Sequence, residues 1–354
     1  MAEEAVRAAF VAQVGWCTRL GSPFTARLCE VLARRLDRST KVGRRLLDWP
    51  GDPAPEADNV PARLCGALHF LARSGEAPGL ARLYPPAPPP DEESLWAEIA
   101  PLLSARAATI ESFLDNAPQT NEIGRSSVLM AGLMAVAESF DLPMRLFELG
   151  SSAGLNLLLD RYAFDLGGRA AGDPASPVRL APLWTGPPPP AAKVRIVERR
   201  GVDISPRDPR ADGERLLAFV WPDQTERIDR LEAALAIAAA DPPAVDRADA
   251  ADWLERVLPE APRDGAVRVV LHSIAFQYFP EGVQRRIAAL IERLGREATA
   301  EAPLAWLRYE YLPGEEQASL RLRTWPGTER QLAWAHGHGT NVEWLATASG
   351  RERP

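Results

Sequence analysis

The segment Phe147–Leu159, FELGSSAGLNLLL, fits two kinds of site that exclude each other. Its residues Gly150 to Gly154 spell G-x-S-x-G, the turn that raises a serine nucleophile above the sheet of an α/β-hydrolase. The same glycines, between an apolar strand and an apolar helix, also form a turn at which a nucleotide cofactor can approach the backbone closely. The sequence on either side decides between the two.

The sequence pattern changes near residue 143. Residues 1–143 contain helix-like stretches separated by proline and glycine, which predict an all-helical N-terminal region. In residues 144–354, short apolar runs alternate with helical stretches, which is typical of parallel βαβ units and predicts an α/β domain. The runs predicted as strands are 145–149, 193–204, 244–248, 267–271, 304–311, 319–325 and 331–337. Only a short turn separates the last two, so we expect them to form an antiparallel hairpin.

Several helix starts are marked by capping residues. Ser22 followed by Pro23 predicts the N-cap and first residue of a helix. Asp223 is expected to cap the helix that follows it. The helices predicted between the strands are 156–162, 226–239, 251–257 and 282–295.

The hydrolase interpretation requires features upstream of the turn. A nucleophile elbow follows several strands and is accompanied by an oxyanion loop, often of the HGGG type. Here the run RLFEL is the first predicted strand, and no His-Gly-Gly segment occurs in the sequence. Ser152, Asp249 and His336 do follow one another in the order of a hydrolase triad. A serine hydrolase that uses Ser152 therefore stays as an alternative function.

The second predicted βα unit carries a further signal for a cofactor. Its strand ends in GVDISP, residues 201–206. An acid at the end of this strand can accept both hydroxyls of a ribose, which makes Asp203 the ribose candidate. Glu198 is the alternative if the strand ends at Val197. Alternatively, Asp203 has a purely structural role and forms a turn before Ser205-Pro206.

The segments ELGSSAGLN (148–156) and GVDISP resemble the first two signature motifs of class I S-adenosylmethionine-dependent methyltransferases, over roughly residues 145–346. The resemblance implies a Rossmann-like, doubly wound α/β sheet that ends in an antiparallel hairpin. It implies S-adenosylmethionine as the cofactor, with contacts at Glu148, Gly150, Ser152, Gly154 and Asn156. Ser152 departs from the motif, because it stands where the usual pattern has a glycine.

The resemblance also implies a carboxylate that faces the adenine amino group. Asp249 or Asp252 occupies that place, and Asp249 is preferred because a predicted strand end precedes it. The structural explanation is that one of these residues caps the helix containing Trp253. The long insertion between Glu148 and Asp203 is expected to help to wall a substrate pocket.

Other polar residues are expected around a substrate. Asn121 and Arg125 lie just upstream of the first strand, where Arg125 can pair with a carboxylate, although Asn121 can also simply cap a helix. His272 ends the strand VRVVL and is the candidate base that takes a proton from the methyl acceptor. Tyr278 is its expected neighbour. Glu310, also expected at the substrate, can instead hydrogen-bond His272 as a structural partner.

The whole chain resembles domain-of-unknown-function family 2332 more closely, through QTNEIGRS (119–126), ELGSSAGLNLLLDRY (148–162), WPDQTER (221–227) and PLAWLRYEY (303–311). That resemblance implies no activity. It covers both predicted regions.

The composition excludes several classes of partner. The formal net charge is −7 and Lys and Arg are scattered, which disfavours nucleic acid. No apolar run reaches the roughly 20 residues of a membrane span, and the acidic N-terminus does not resemble a signal peptide, so a cytoplasmic protein is expected. Cys17, Cys29 and Cys65 are expected to be reduced core thiols, and no metal site is predicted.

The leading hypothesis is therefore S-adenosylmethionine-dependent methylation of a small molecule. The alternatives are a serine hydrolase, a dehydrogenase that binds a nicotinamide cofactor, and a binding protein without catalytic activity.

Overall fold

The computed structural model describes residues 2–261 and 264–345. It is a mixed α/β structure with an N-terminal helical region and a large, mostly parallel central sheet, as the sequence predicts. Two compact units form: a helical unit, which contains residues to Thr120 and Ala211–Glu232, and a sheet unit, which contains the rest. This division differs from the expected boundary after residue 143, because 121–143 group with the sheet and 211–232 with the helices.

The helices are α1 (Ala2–Arg19), α2 (Pro23–Arg35), α3 (Lys41–Leu47), α4 (Val60–Arg73), α5 (Pro78–Ala81), α6 (Glu92–Ala105), α7 (Ala107–Leu114), α8 (Arg125–Phe140), α9 (Gly213–Ala218), α10 (Thr225–Ala240), α11 (Ala250–Glu260) and α12 (Glu281–Arg296). Helices α1 to α7 and α9 lie in the helical unit. Their apolar faces form one core, in which Phe113 of α7 packs with its ring centroid 5.5 Å from that of Phe219. The three cysteines are free and buried there, as predicted.

The start of α2 is stabilised by a residue far away in the sequence. Ser22 is the N-cap and Pro23 the first helical residue, as predicted, but the Ser22 hydroxyl makes no capping bond. It donates instead to the carboxylate of Asp223, which also accepts the backbone N–H groups of Phe24 and Thr25 at 3.1 and 3.4 Å. Asp223 thus caps α2, and the prediction that it caps the helix following it is wrong. A carboxylate suits this place because helix N-termini expose unpaired donors and partial positive charge.

We expect Asp223→Ala to lower the free energy of unfolding by about 1–2 kcal/mol, because it removes the acceptor of two helix N–H groups and of a buried hydroxyl. Asp229→Ala, on the exposed face of α10, is the matched control and should change stability by less than about 0.5 kcal/mol. Urea denaturation of both variants measures the difference. Equal stabilities would show that the cap contributes nothing.

The strands are β1 (Met144–Leu149), β2 (Ala163–Leu166), β3 (Arg169–Gly172), β4 (Arg179–Leu180), β5 (Leu183–Thr185), β6 (Ile196–Asp203), β7 (Ala244–Arg247), β8 (Val267–Ser273), β9 (Leu304–Glu310), β10 (Ala318–Trp325), β11 (Glu329–Ala335) and β12 (Asn341–Trp344). All seven predicted strands form. The main sheet has the order β5-β12-β11-β10-β9-β8-β1-β6-β7. Strands β7, β6, β1, β8 and β9 are parallel, and β10 and β11 form the predicted antiparallel hairpin.

The chain beyond the hairpin extends the sheet further than the sequence predicts. Strand β12 pairs with β11, and β5 from the insertion pairs with β12. The rest of the insertion forms a small sheet of order β3-β2-β4. The helix expected at 156–162 is a 3-10 helix, Leu155–Arg161. No helix within 2–261 and 264–345 has the length and apolar character needed to cross a membrane.

The strand order reverses at β1, and this reversal positions the candidate site. From β1 the chain adds β6 and β7 on one side, and then β8 and β9 on the other. In open α/β sheets, ligands bind at the carboxyl ends of the strands beside such a reversal. Apolar side chains from α11 and α12, among them Trp253 and Ile291, pack with Phe147 of β1 and Val270 of β8 and keep this part of the sheet rigid.

Candidate functional site

The glycine-rich turn that follows β1 has left-handed backbone at Gly150, Ser152 and Gly154, with φ of 73°, 54° and 70°. A Cβ on Gly150 would lie 2.7 Å from Cβ of Ala275, so only glycine allows the turn to approach the loop after β8. A Cβ on Gly154 would lie 2.7 Å from Pro243, so that glycine is required by packing. Ser152 tolerates a conformation that glycine adopts more easily, which stores strain in the turn.

The N–H groups of the turn are bonded within the chain. Asn121 accepts the N–H groups of Ala153 and Leu155 through Oδ1, at 3.0 and 3.3 Å. Asp203 Oδ2 accepts that of Ser152 at 2.9 Å. These N–H groups are therefore engaged within the chain and not free for a ligand.

Asp203 ends β6 beside this turn. Its Oδ1 accepts the N–H of Ser205 at 2.8 Å, which is the turn-forming role that the sequence suggested. Each carboxylate oxygen has two lone pairs, so both oxygens can still accept a ligand hydroxyl. The alternative, Glu198, required a strand that ends at Val197, but β6 continues to Asp203. Glu198 instead pairs with Arg145 of the neighbouring strand β1, at 2.5 Å.

A cavity of about 140 Å³ lies at the carboxyl ends of β1, β6 and β7; we call it the acidic cavity. Asp203 and Asp249 supply its carboxylates, and Gly150 and Tyr278 also line it, so four predicted residues meet here. Asp249 in addition caps α11, since its Oδ1 accepts the N–H groups of Ala251 and Asp252 at 2.9 and 3.2 Å. Both roles considered for Asp249 are thus compatible.

The rim of the acidic cavity carries two exposed apolar side chains. Ile204 is 78% exposed and Tyr278 is 71% exposed, although both are large. Sequence reasoning passed over Ile204, whose signal was its place directly after Asp203. Two exposed apolar side chains around one cavity favour a ligand with a flat apolar part, because covering them stabilises the complex.

Glu148 lies on β1 beneath the turn and is 2% exposed. Its Oε2 has no hydrogen-bond partner among the described residues. Burial, aided by the nearby charge of Asp203, raises the pKa of Glu148 from its ordinary value of 4.5 to about 8. The group is therefore protonated at neutral pH unless a cation or further donors reach it.

His272 is fully buried and has both ring nitrogens engaged. Nδ1 contacts Oε1 of Glu310 at 2.6 Å, and Nε2 accepts the indole N–H of Trp306 at 3.1 Å. The ring also stacks on Phe276, with 4.6 Å between ring centroids. The structural role, in which His272 bonds Glu310, is confirmed. The role of His272 as a base stays a prediction, and it would require the bond from Trp306 to open.

Three further predicted residues hold the site together from outside the acidic cavity. Arg125 donates to the carbonyls of Ser273 and Gly337, both at 2.9 Å, and so uses its guanidinium on backbone. Asn156, 3% exposed, accepts the hydroxyl of Ser126 at 2.7 Å. Asn121, as described above, braces the turn.

A second cavity, of about 540 Å³, lies beside His272 and Glu310; we call it the arginine cavity. Arg308 of β9 and Arg321 of β10 line it together with Trp306. The two cavities have a common wall, because Phe276 and Gln277 line the arginine cavity and the next residues, Tyr278 and Phe279, line the acidic cavity. Of the predicted site residues, four therefore line the acidic cavity, two, His272 and Glu310, line the arginine cavity, and the others line neither.

The hydrolase triad does not assemble. Ser152 Oγ is buried and has no hydrogen-bond partner in the part of the chain that the structure describes. Asp249 caps α11, and Nδ1 of His336 accepts the backbone N–H of His338 at 3.2 Å. Serine catalysis requires the nucleophile to lie within hydrogen-bond reach of a base.

The raised pKa of Glu148 predicts a pH dependence of stability. The folded state holds the proton to about pH 8 and the unfolded state only to about pH 4.5, so the stability that Glu148 contributes falls as pH rises between these values. Glu148→Gln, which cannot ionise, should gain stability relative to the native protein by the order of a few kcal/mol from pH 5 to pH 8. Urea denaturation at both pH values tests this, and an unchanged difference between the two proteins would show that Glu148 is ionised throughout.

Comparison with curated proteins and with solved structures gives no match. Residues 7–344 match DUF2332, described as an uncharacterized protein conserved in bacteria. The match includes the glycine-rich turn, both cavities and most of the helical unit. The protein therefore belongs to the DUF2332 family.

Proposed function

We propose that the protein is an S-adenosylmethionine-dependent methyltransferase that acts on a small molecule and binds its cofactor in the acidic cavity. The observation that carries the proposal is the meeting of a glycine-rich turn with Asp203 and Asp249 in one cavity at the reversal of strand order. The parallel order β7-β6-β1-β8-β9, followed by an antiparallel strand, supports a Rossmann-like sheet of the methyltransferase type.

Each side chain of the acidic cavity has a part of the cofactor that it can hold. Asp203 can accept the two ribose hydroxyls, since its oxygens keep free lone pairs. Ile204 and Tyr278 can cover the faces of an adenine, and Oδ2 of Asp249 can accept the adenine amino group. Glu148 does not line the cavity but lies beneath the turn, and its Oε2, which has no partner among the described residues, suits a cationic ammonium group.

The cavity is smaller than the roughly 300–1,000 Å³ of ordinary ligand sites. Binding of the whole cofactor therefore requires the segment 275–280, which carries Tyr278, to move outward. Gln277 and Tyr278 are exposed and free to move, whereas Phe276 packs on His272 and Trp306, so movement of the whole segment would have to break these ring contacts.

When bound, S-adenosylmethionine supplies a methyl group on a positively charged sulfur. The residues of this chain would act mainly by positioning the methyl acceptor in line with that methyl group. Holding two reactants in line can supply a large part of a rate enhancement without a specialised side chain. Ionisation of Glu148 next to an ammonium group would release a proton on binding, because the partner's charge lowers the pKa of the acid.

One observation favours serine hydrolysis as a second function. Ser152 has a φ of 54°, and a nucleophilic serine in a hydrolase elbow also occupies a strained turn. Two observations count against serine hydrolysis. Ser152 Oγ contacts no base. In addition, β1 is the strand before the turn, and only helices precede β1 among the described residues.

S-adenosylmethionine and its homocysteine product should raise the melting temperature, because a ligand that binds only the folded state stabilises it. Asp203→Asn keeps an acceptor for the turn but removes the charge and one acceptor oxygen, so it should lose most of this shift. Glu343→Gln, exposed on β12, is the matched control and should keep it. Thermal melts and calorimetry measure both. If neither ligand at saturation shifts the melting temperature or produces heat, S-adenosylmethionine is not the cofactor.

Ser152→Ala should change cofactor affinity and any methyl transfer by less than about tenfold, because its hydroxyl is at most one neutral hydrogen bond. A nucleophile would instead lose several orders of magnitude of activity. A fluorophosphonate probe should leave the protein unlabelled, as read by intact mass. Covalent labelling at Ser152 would establish the hydrolase in place of the methyltransferase.

A further inference from the structure

The arginine cavity has the size of a small-molecule site. Its volume, about 540 Å³, lies within the roughly 300–1,000 Å³ that such sites occupy. The residues that decide its chemistry are Phe276, Trp306, Arg308, Glu310, Ser319 and Arg321. They include aromatic rings, one buried carboxylate and two guanidinium groups, so the cavity presents three different kinds of surface to a ligand.

The acid, Glu310, is 6% exposed and presents one unpaired oxygen. Its Oε1 contacts Nδ1 of His272 and accepts the N–H groups of Ala275 and Phe276, both at 3.1 Å. Its Oε2 is buried with no hydrogen-bond partner among the described residues. Leaving a buried acceptor unpaired is costly. The oxygen is therefore suited to a hydroxyl or N–H group of a ligand.

The two bases lie side by side on neighbouring strands. Arg308 and Arg321 are directly opposite each other in the pairing of β9 with β10. Arg308 pairs with Glu329, and Arg321 with Glu315 at 3.0 Å, but neither acid lines the cavity. A guanidinium has five N–H donors, and Nε of Arg308 has no partner within the described residues. Two adjacent guanidinium groups with donors to spare suit a carboxylate.

The aromatic rings lie on the same face as the acid and the bases. The guanidinium of Arg308 lies 4.5 Å from the ring centroid of Trp306, and the ring of Phe276 meets Trp306 edge-on at 6.1 Å. Arg308 and Glu310 are two residues apart on one strand, which separates their backbone positions by about 7 Å. That spacing fits a ligand with a donor and an anion at opposite ends of one aromatic ring.

We infer that the arginine cavity binds a small aromatic acid that carries a hydroxyl group, with its carboxylate on Arg308 and Arg321 and its hydroxyl on Oε2 of Glu310. That this ligand is the methyl acceptor rests on the proposed function. The common wall at Phe276–Phe279 brings the acceptor next to the acidic cavity. Binding itself depends only on the arginine cavity.

The test uses the full chain without cofactor and para-hydroxyphenylacetate as the probe, with affinity measured by calorimetry. Phenylacetate lacks the donor for Glu310, and para-ethylphenol lacks the anion. Each should bind at least about tenfold more weakly, the loss expected for one charge-assisted hydrogen bond. Because these comparisons change only the ligand, they remain informative even where a variant of Glu310 does not fold.

Arg321→Gln should weaken binding of para-hydroxyphenylacetate by at least about tenfold and leave that of para-ethylphenol unchanged. Arg323→Gln is the matched control: Arg323 lies two residues further on the same strand and covers Trp325 at 4.7 Å, but it does not line the cavity.

Equal affinity of all three probes, equal effects of the two variants, or no binding at millimolar probe would overturn the inference. If S-adenosylmethionine binds in the same preparation while the probes do not, the inference fails alone; if only the probes bind, the proposed function fails and the cavity assignment stands.

Discussion

The turn between β1 and the 3-10 helix is fixed from two sides, and the geometry of the candidate site depends on it. Asn121 accepts two N–H groups of the turn and Asp203 accepts a third. The backbone N–H groups of Gly150 and Ser151 both donate to the carbonyl of Val202. These bonds allow a left-handed serine to persist, since strain survives only where surrounding contacts determine the conformation. They also hold Gly150 against Ala275, which brings the loop after β8 to the end of β1.

Two buried acids near strand ends, Glu148 and Glu310, have opposite chemical character. Glu310 accepts backbone N–H groups and contacts His272 through Oε1, so one of its oxygens is well stabilised, while Oε2 has no partner among the described residues. Glu148 has an unpaired Oε2 and a pKa raised by burial, so it holds a proton at neutral pH. The environment of each acid, rather than its type, sets what it can bind. A neutral acid that ionises near a cation suits a cationic group at the turn, and an acceptor beside two arginines suits the arginine cavity.

The sequence predicts the elements whose pattern is local. The seven strands β1 and β6 to β11 are short runs that contain apolar residues and have turn residues at their ends, and the glycine-rich turn with Asp203 follows from short motifs. Strands β5 and β12 have three and four residues, two of them exposed in each, and they escape prediction because they pair only after the insertion returns to the sheet. The same reason hides the cap by Asp223, which acts 201 residues away. It also hides the bond from Trp306 that occupies His272.

The wall between the cavities follows a strained residue and contains exposed side chains. Ile274, a β-branched residue, has a φ of 47°, which costs free energy and is retained because its N–H donates to the carbonyl of Tyr309 at 2.7 Å. After it, Glu310 holds the N–H groups of Ala275 and Phe276, and the chain then becomes exposed at Gln277 and Tyr278. These bonds use Oε1, so a ligand hydroxyl on the other oxygen, Oε2, would leave the bonds that fix the wall in place.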